Sequence, residues 1–295
     1  MMSYVLSCCS TADLSKQHFE QRDIHYVCFH YVLDGVEHLD DLGQSVSFPD
    51  FYTALANGSS ATTSQVNAIE YYSYFRRFLE QGQDVLHVCL SSGISGTINS
   101  ARIAQENLAE EFPQRKLYIV DSLGASSGYG LLMDKLADLR DEGTNVVDAY
   151  HFAVENRLKV HHWFFSTDLS FYVKGGRISK SSYVVGTALG ICPLLNMDSL
   201  GRLVPRDRIR TKKRVIQQMV EQMVRHAEGG TDYRGKVFLS NSACPEDARE
   251  VADLVKQKFP NIDGEPLINN VGTVIGSHTG PGTVALFFWG DERED

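Results

Sequence analysis

The stretch SSGISGT, from Ser91 to Thr97, places four hydroxyl side chains and two glycines between a strand-like and a helix-like segment. The first N–H groups of a helix have no partners within it, and the helix dipole favours a negative group there. The glycines let a ligand approach the backbone, so the loop could bind an anion. Two alternatives are that Ser95 or Thr97 caps the helix, or that Ser95 is a nucleophile.

Known phosphate-binding signatures do not fit this loop. No Gly-Lys-Ser/Thr follows it, which excludes a P-loop, and its glycines do not form the G-x-G-x-x-G fingerprint of dinucleotide sites. The segment GISGT, residues 93–97, comes near the nucleophile elbow G-x-S-x-G, but Thr97 stands where the last glycine belongs.

Three further segments carry groups that suit a carboxylate. GSSATTSQVN places Thr63 and neighbouring hydroxyls where we expect a helix to start, KGGRIS supplies Arg177, and GSHTGPG holds His278 between glycines. Arginine pairs well with carboxylates and phosphates. Two hydroxyl-rich helix starts, one arginine and one histidine fit a carboxylate better than a metal ion or a nucleotide.

Two other functions remain open at this point. A serine hydrolase could use Ser95 and His278 with Asp121 or Asp168, in the chain order Ser, Asp, His. A sensor of a small anion could use the same groups without binding a long tail. Thr97 in the elbow and the additional arginine count against the hydrolase.

The elements that would position these residues indicate an α/β protein. In the first half, DVLHVCL (84–90) and KLYIVD (116–121) are continuous apolar runs typical of strands buried on both faces, with an amphipathic helix between them. Alternating strands and helices predict a three-layer α/β/α domain with a mainly parallel sheet, residues 1–160. Residues 161–295 are predicted to form a second α/β domain with a mixed or antiparallel sheet. There we expect GTVIGSHTGPGTVALFFW (272–289) to be a strand, a glycine loop and a strand.

Composition narrows the function classes. Acidic residues number 37 against 28 basic ones, a net charge of −9, which argues against a general nucleic-acid binder. No apolar run approaches the roughly 20 residues that span a bilayer, and the start lacks an export signal, so we expect a cytoplasmic protein. The six cysteines are expected to be reduced, and neither they nor the ten histidines lie at zinc-ligand spacing. No metal or cofactor is predicted.

One segment departs from the acidic balance. Residues 202–214, RLVPRDRIRTKKR, hold seven basic residues and one acidic residue, a charge of +6 that leaves −15 on the rest of the chain. If Thr211 starts a helix, its first turn is basic and opposes the helix dipole. We predict that Arg206, Arg208 and Arg210 dock an acidic partner surface, with an ordinary solvated face as the alternative.

Five motifs together resemble those of the DegV family: TTSQ, SSGISGT, DSLGASSGYG, KGGRIS and GSHTGPG, in family order over nearly the whole chain. The resemblance implies a bacterial two-domain α/β protein of phospholipid metabolism that binds a long-chain fatty acid. It implies a carrier rather than an enzyme, which presents the carboxylate to a separate ATP-dependent fatty acid kinase subunit for acyl-phosphate formation. Two departures are Cys9, where the family commonly has aspartate, and Val66, where it commonly has proline.

The resemblance also implies roles for individual residues. The groups expected to hold the carboxylate are the side chains or backbone of Thr63, Ser95, Gly96, Thr97, Arg177 and His278. A carboxylate that accepts several short hydrogen bonds at a helix start stays ionised and oriented. The tail needs an apolar channel, for which the expected wall residues are Phe164, Phe165, Ile191 and Leu194.

Overall fold

Strands and helices alternate along the part of the chain that the computed structural model describes, residues 4–179 and 190–295. The strands there are β1 (Val5–Cys9), β2 (Ile24–Val27), β3 (His30–Leu33), β4 (Val36–Leu39), β5 (Ala61–Ser64), β6 (Val85–Cys89), β7 (Leu117–Asp121), β8 (Val160–Ser166), β9 (Ile191–Met197), β10 (Leu203–Arg210), β11 (Phe238–Asn241), β12 (Leu267–Asn270) and β13 (Thr283–Trp289). The helices are α1 (Lys16–Gln21), α2 (Phe48–Ala56), α3 (Ala68–Leu79), α4 (Thr97–Glu111), α5 (Ser127–Asp141), α6 (Val146–Asn156), α7 (Ser170–Lys174), α8 (Lys212–His226), α9 (Pro245–Lys258) and α10 (Thr273–Thr279).

A four-stranded parallel sheet in the order β2-β1-β6-β7 is the centre of the first half. Every residue of β1 and β6 is buried, as expected for strands covered on both faces. Helices α3 and α4 pack against β6 and β7, while α5 and α6 pack against β1, β6 and β7. The predicted α/β class with a parallel sheet in the first half is confirmed.

The second half contains a six-stranded mixed sheet in the order β10-β9-β8-β13-β11-β12. Its pairings are antiparallel except for β11 with β12, so the predicted mixed sheet is confirmed. Helices α8 and α9 cover one face with an apolar cluster that includes Met219 and Val251. The sheet begins with β8 at Val160. The domain boundary near residue 160 stays a prediction.

A third, small sheet was not predicted. Strands β4, β3 and β5 form an antiparallel sheet, in which Thr63 pairs with Tyr31. The expected helix start at residues 62–64 is therefore wrong, because this threonine-rich segment extends and completes a sheet, where β-branched residues are favoured. Helix α3 begins later, at a capping box in which the Asn67 side chain accepts from two backbone N–H groups and Glu70 accepts from the N–H of Asn67.

The strand expected at the start of GTVIGSHTG is also wrong, because residues 273–279 form helix α10. The β-branched residues there favour a strand locally, but tertiary contacts hold a helical turn. The buried carboxylate of Asp40 accepts from both the N–H and the hydroxyl of Thr273, at 3.2 and 2.7 Å. Gly280, with φ +66°, follows the helix and lets the chain turn into β13.

The contacts that join the halves of the chain include an ion pair and a buried arginine. The ammonium of Lys236 lies 2.5 Å from a carboxylate oxygen of Asp134 on α5. Near the end of the chain, the buried guanidinium of Arg293 donates to the carbonyl of Leu123 at 2.7 Å and to that of Asp198 at 3.2 Å. In the described part of the chain, no helix is long and apolar enough to cross a membrane.

Candidate functional site

A cavity of about 380 Å³ lies between the parallel sheet, the small sheet and the mixed sheet. This volume falls within the range of roughly 300–1,000 Å³ of small-molecule sites. Five of the six residues predicted to hold a carboxylate line it, although they come from four separate parts of the chain: Thr63, Ser95, Gly96, Arg177 and His278. The fold therefore brings together groups up to 215 residues apart.

Helix α10 places His278 against β5. Its Nε2 atom lies 2.7 Å from the hydroxyl of Thr63, whereas its buried Nδ1 atom has no hydrogen-bond partner in the described residues. Burial, together with the nearby Arg177 charge, lowers the pKa of His278 from 6.5 to about 4. The imidazole is therefore neutral at physiological pH and takes part through hydrogen bonds rather than charge.

Arg177 is the only charged side chain among the described residues that line the cavity. Its Nε donates to the carbonyl of Ile94 at 3.2 Å and its Nη1 to that of Gly175 at 2.6 Å, which fixes the plane of the guanidinium. Within the described chain, Nη2 makes no hydrogen bond. Burial lowers the pKa of Arg177, but an arginine stays charged in proteins. A half-buried cation with no acidic partner in the described chain is suited to an anionic ligand.

The loop before α4 contributes the hydroxyl of Ser95, whose hydrogen has no acceptor among the described residues. The Oγ atom of Ser95 accepts from the N–H of Thr97 at 3.3 Å, so its own O–H can donate to a ligand. The side chain of Thr97 is buried and points into the first half, where its Oγ1 lies 2.8 Å from the hydroxyl of Tyr71. Thr97 therefore does not line the cavity, and the expectation that its backbone N–H helps to hold a carboxylate stays a prediction.

Most of the remaining cavity wall is apolar. Phe164 on β8 lines it, in the place predicted for a channel residue. The other apolar side chains of the wall come from both halves of the chain: Phe29, Leu90, Ile94, Ala125, Met197, Leu203, Val271, Val274, Ile275, Ala285 and Phe287. A site with one charged end and an apolar remainder is complementary to an amphipathic molecule.

The other three predicted channel residues do not line this cavity. Successive residues of a strand point to opposite faces, so Phe165 cannot share a face with Phe164. Phe165 and Leu194 are buried in the apolar cluster under α8 and α9, on the far face of the mixed sheet. Ile191 begins β9 and is half-buried outside the lining. The apolar pattern of β8 and β9 does not by itself distinguish the two faces of these strands.

Several lining residues were not predicted. His162 shares the face of Phe164, so strand alternation could have identified it. Its Nε2 accepts from the N–H of Ala125 at 3.1 Å, and burial holds its pKa well below 6.5, so it is neutral. Ser126 lies in a left-handed backbone conformation, φ +52°, and donates to the buried carboxylate of Asp13 at 2.5 Å. No sequence signal distinguishes Ser126 from the neighbouring serines.

A groove of about 450 Å³ continues from the charged end of the cavity toward the surface. It shares Ile94, Arg177 and Leu203 with the cavity and ends at Arg202 and Pro205 of the basic segment. Because Thr63, Ser95 and His278 are only half-buried as well, the charged end of the cavity is its open end.

The basic segment forms the edge strand β10 and the first turn of α8. Arg206 donates to the side-chain carbonyl of Asn196 at 2.8 Å, while Arg208 and Arg210 are exposed and form no ion pair within the described chain. Arg208 pairs in register with Pro193, two residues from Leu195, which itself pairs with Phe164. Arg208 and Arg210 therefore lie on the sheet face that the cavity occupies.

The catalytic triad of the hydrolase alternative does not form. The only hydrogen bond of His278 in the described residues is the one to Thr63. The Asp121 carboxylate accepts from the N–H groups of Ser92 and Leu123, and that of Asp168 accepts from the N–H and hydroxyl of Ser170. Neither aspartate orients the imidazole, as a triad requires.

Comparison with known proteins gives a family match over almost the whole chain. A family model described as "Uncharacterised protein, DegV family" matches residues 9–291. A DegV domain-containing protein of Clostridium perfringens is 33% identical over 100% of both chains. A Thermus thermophilus DegV family structure that describes fatty acid binding has a TM-score of 0.86 at 26% identity, covering 98% of this chain and 100% of that one. The Streptococcus pneumoniae fatty acid kinase (Fak) B3 protein, loaded with linoleic acid, has a TM-score of 0.83 at 19% identity over 99% and 100% of the chains, which shows a shared fold.

Proposed function

The chain belongs to the DegV family, and on this basis we propose that it binds one long-chain fatty acid in the cavity between its sheets. The observation that carries the proposal is that, among the described residues, a largely apolar cavity wall contains one charged side chain, Arg177, at its open end. The fatty acid binding described for the Thermus thermophilus relative supports the same ligand class. The protein acts as a carrier, without catalytic residues of its own, in the cytoplasm.

In this proposal the carboxylate accepts hydrogen bonds from Nη2 of Arg177, which has no partner among the described residues, and from the hydroxyls of Ser95 and Thr63. The Thr63 hydroxyl can donate to the ligand while Nε2–H of His278 donates to its oxygen, an arrangement that the 2.7 Å contact allows. Charge-assisted hydrogen bonds of this kind are roughly twice as strong as neutral ones. The backbone of Gly96 completes the loop side of the site.

The acyl tail would extend over Phe164, Ala285 and Phe287 of the mixed sheet toward Val271 and Val274. Each methylene moved from water into such a wall contributes about 0.8 kcal/mol. The head group therefore sets the orientation of the ligand, and the tail provides most of the affinity. A small anion would leave the apolar wall uncovered.

The test is mass spectrometry of organic extracts from the purified protein under denaturing conditions. We expect a long-chain fatty acid in the wild type and in Ser92→Ala, and a reduced amount in Ser95→Ala. Ser92 lies in the same loop but is exposed and outside the cavity, so it is a matched control. If no preparation contained an acyl chain and added fatty acid did not bind, the proposal would be withdrawn in favour of a small anion.

We further propose that the bound carboxylate is presented to a separate ATP-dependent kinase. There a carboxylate oxygen attacks the γ-phosphorus of ATP, ADP leaves, and an acyl phosphate forms. The open groove from Arg177 to Arg202 gives a phosphate group access to the carboxylate, and the exposed Arg208 and Arg210 beside it supply a basic docking surface. Complementary charges at such a surface increase the association rate.

Charge reversal tests the docking surface. Arg208→Glu with Arg210→Glu should weaken complex formation with the kinase and lower acyl-phosphate production, while fatty acid stays bound. Arg249→Glu with Lys256→Glu changes the same number of charges on α9, away from the cavity face. This control pair should leave complex formation with the kinase and acyl-phosphate production unchanged. If Arg208→Glu with Arg210→Glu left complex formation and acyl-phosphate production unchanged, this surface would be ruled out as the docking site.

A further inference from the structure

A second cluster of reactive side chains lies in the core of the first half, and none of them lines the cavity. Cys9 at the end of β1, and His87 and Cys89 on β6, each present one metal-binding atom, and these atoms all lie within 4.8 Å of one another. All three residues are fully buried. We propose that this cluster binds a structural Zn²⁺ ion, with the hydroxyl of Tyr71 as the fourth donor.

The positions of the cysteines follow from the sheet. Strands β1 and β6 are parallel neighbours, and Cys8 pairs with Val88, so the next residues, Cys9 and Cys89, stand side by side. His87 lies two residues before Cys89 on the same strand and therefore on the same face. Three ligand side chains thus converge at the carboxyl end of two rigid strands. Rigid strands provide the fixed geometry that a metal site needs.

The distances suit a tetrahedral site. The Sγ atom of Cys9 lies 3.7 Å from Nε2 of His87 and 3.2 Å from the hydroxyl oxygen of Tyr71. Zinc bonds of about 2.3 Å to sulfur and about 2.0–2.1 Å to nitrogen or oxygen place neighbouring tetrahedral ligand atoms roughly 3.5 Å apart. The two distances from Cys9 match this spacing, and the ligand atoms of Cys9, His87 and Cys89 all lie within 4.8 Å of one another.

The groups around the cluster orient its ligands as a metal site requires. The Oγ atom of Ser7 lies 2.9 Å from Nδ1 of His87 and 2.7 Å from the hydroxyl of Tyr74. An acceptor at Nδ1 fixes the tautomer that leaves the Nε2 lone pair facing Cys9. The Tyr71 hydroxyl can donate to Thr97 at 2.8 Å and keep an oxygen lone pair for the metal.

Charge balance favours a divalent ion, and a donor set of thiolates and imidazole is typical of structural zinc. Two thiols lose their protons to solvent when the ion binds, so two thiolates, a neutral imidazole and a neutral phenol surround Zn²⁺ with no net charge. A monovalent ion such as Cu⁺ would leave one negative charge in a fully buried site, which is costly. The proposed ion would tie β1 and β6 to α3 and, through Tyr71 and Thr97, to the loop that carries Ser95.

This proposal revises the expectation from the sequence, which predicted no metal. Spacing along the chain did not show the site, because Cys9 and Cys89 are 80 positions apart and meet only through strand pairing. Cys9 is also the residue that stands where the family commonly has aspartate. The proposal is independent of fatty acid binding.

The experiment measures metal content by inductively coupled plasma mass spectrometry, after purification with a reductant and without chelators. We expect one zinc per chain in the wild type and in Cys8→Ala, a neighbouring buried thiol that points to the opposite face of the sheet. Cys9→Ala and Cys89→Ala should each lose at least about tenfold in zinc content. Zinc retained by these two variants would overturn the proposal.

A second measurement does not depend on whether the variants fold. The wild type refolded with Co²⁺ under reducing conditions should show thiolate-to-cobalt charge-transfer bands and the intense visible bands of tetrahedral coordination. Absence of both bands, or a Cys9–Cys89 disulfide found by non-reducing mass analysis of the native protein, would overturn the metal site.

Discussion

The hydroxyl of Thr63 lies 2.7 Å from Nε2 of His278, across 215 positions of the chain. This contact joins the small antiparallel sheet to helix α10, and it occurs at the charged end of the cavity. It therefore connects the geometry of the proposed carboxylate site to the stability of the fold.

The burial of His278 predicts a pH dependence of stability. Its pKa is about 4 in the folded protein against 6.5 ordinarily, so between these values the unfolded chain binds more protons and acid favours unfolding. From about pH 7.5 to about pH 5, this group alone should remove about 2 kcal/mol from the free energy of unfolding. Urea denaturation of the ligand-free proteins checks this. Between these two pH values, the free energy of unfolding of His278→Gln should fall by about 2 kcal/mol less than that of the wild type. Equal losses would show that the imidazole is not buried neutral.

Replacement of Arg177 by lysine tests whether the shape of the guanidinium matters for binding as well as its charge. Arg177→Lys keeps the charge, but one ammonium cannot replace a planar guanidinium that donates to Ile94 and Gly175 and still reaches a carboxylate. We expect roughly tenfold weaker binding of a fluorescent fatty acid. Arg208→Lys, on the exposed edge strand, should bind as the wild type does. Full affinity in Arg177→Lys would show that charge alone is sufficient.

A substitution at Gly175 tests whether fatty acid binding depends on the position of the His278 imidazole. Its backbone, φ −74° and ψ −10°, accepts alanine, but an added Cβ would lie 2.3 Å from Nδ1 of His278. Gly175→Ala should therefore displace the imidazole and weaken fatty acid binding with little change in backbone strain. Gly176→Ala should leave fatty acid binding nearly unchanged, because an added Cβ at this position meets open space. Its φ of +74° should instead cost the folded protein about 1–2 kcal/mol of stability. Calorimetry and ligand titration of both variants would separate the two effects.

The ion pair between Lys236 and Asp134, which joins the halves of the chain, should contribute more to the free energy of unfolding than exposed ion pairs do. Lys236 neutralises Asp134, whose side chain is 3% exposed, at 2.5 Å. Lys236→Met leaves that carboxylate with its remaining partners, His18 and Arg22, and should cost about 1–3 kcal/mol. Lys256→Met removes an exposed pair with Asp253 and should cost less than about 1 kcal/mol. Chemical denaturation of both variants checks the difference, and equal costs would contradict it.

Sequence pattern was sufficient for the parallel sheet of the first half and the mixed sheet of the second half, but not for the small sheet β4-β3-β5. A continuous apolar run identified β6, which is buried along its whole length, because a strand covered on both faces leaves little room for polar residues. A similar run identified β7, although only Ile119 and Val120 of that strand are buried. The motifs identified Thr63, Ser95, Gly96, Arg177 and His278, which the fold brings to one cavity. Their roles as ligand-binding groups remain proposals.

Tertiary contacts decided the features that the sequence did not show. Residues 273–275, Thr-Val-Ile, favour a strand locally, and the contact with Asp40 makes them a helix. Thr97 belongs to the same motif as Ser95, but the first turn of α4 directs its side chain to Tyr71. The approach of Cys9 to Cys89 depends on strand order, which periodicity along a single chain does not contain.

Strand β8 contributes alternate side chains to the cavity and to the apolar core under α8 and α9, so the shape of the cavity and the packing of that core can change independently. His162 and Phe164 face the cavity, while Trp163 and Phe165 face the cluster under α8 and α9. Substitutions at even-numbered positions can therefore alter the shape of the cavity while the opposite core keeps its packing. A single-residue insertion or deletion in β8 would exchange the two sets and place a histidine in that cluster. Lineages that diversify their ligands should vary this strand in composition and keep its length.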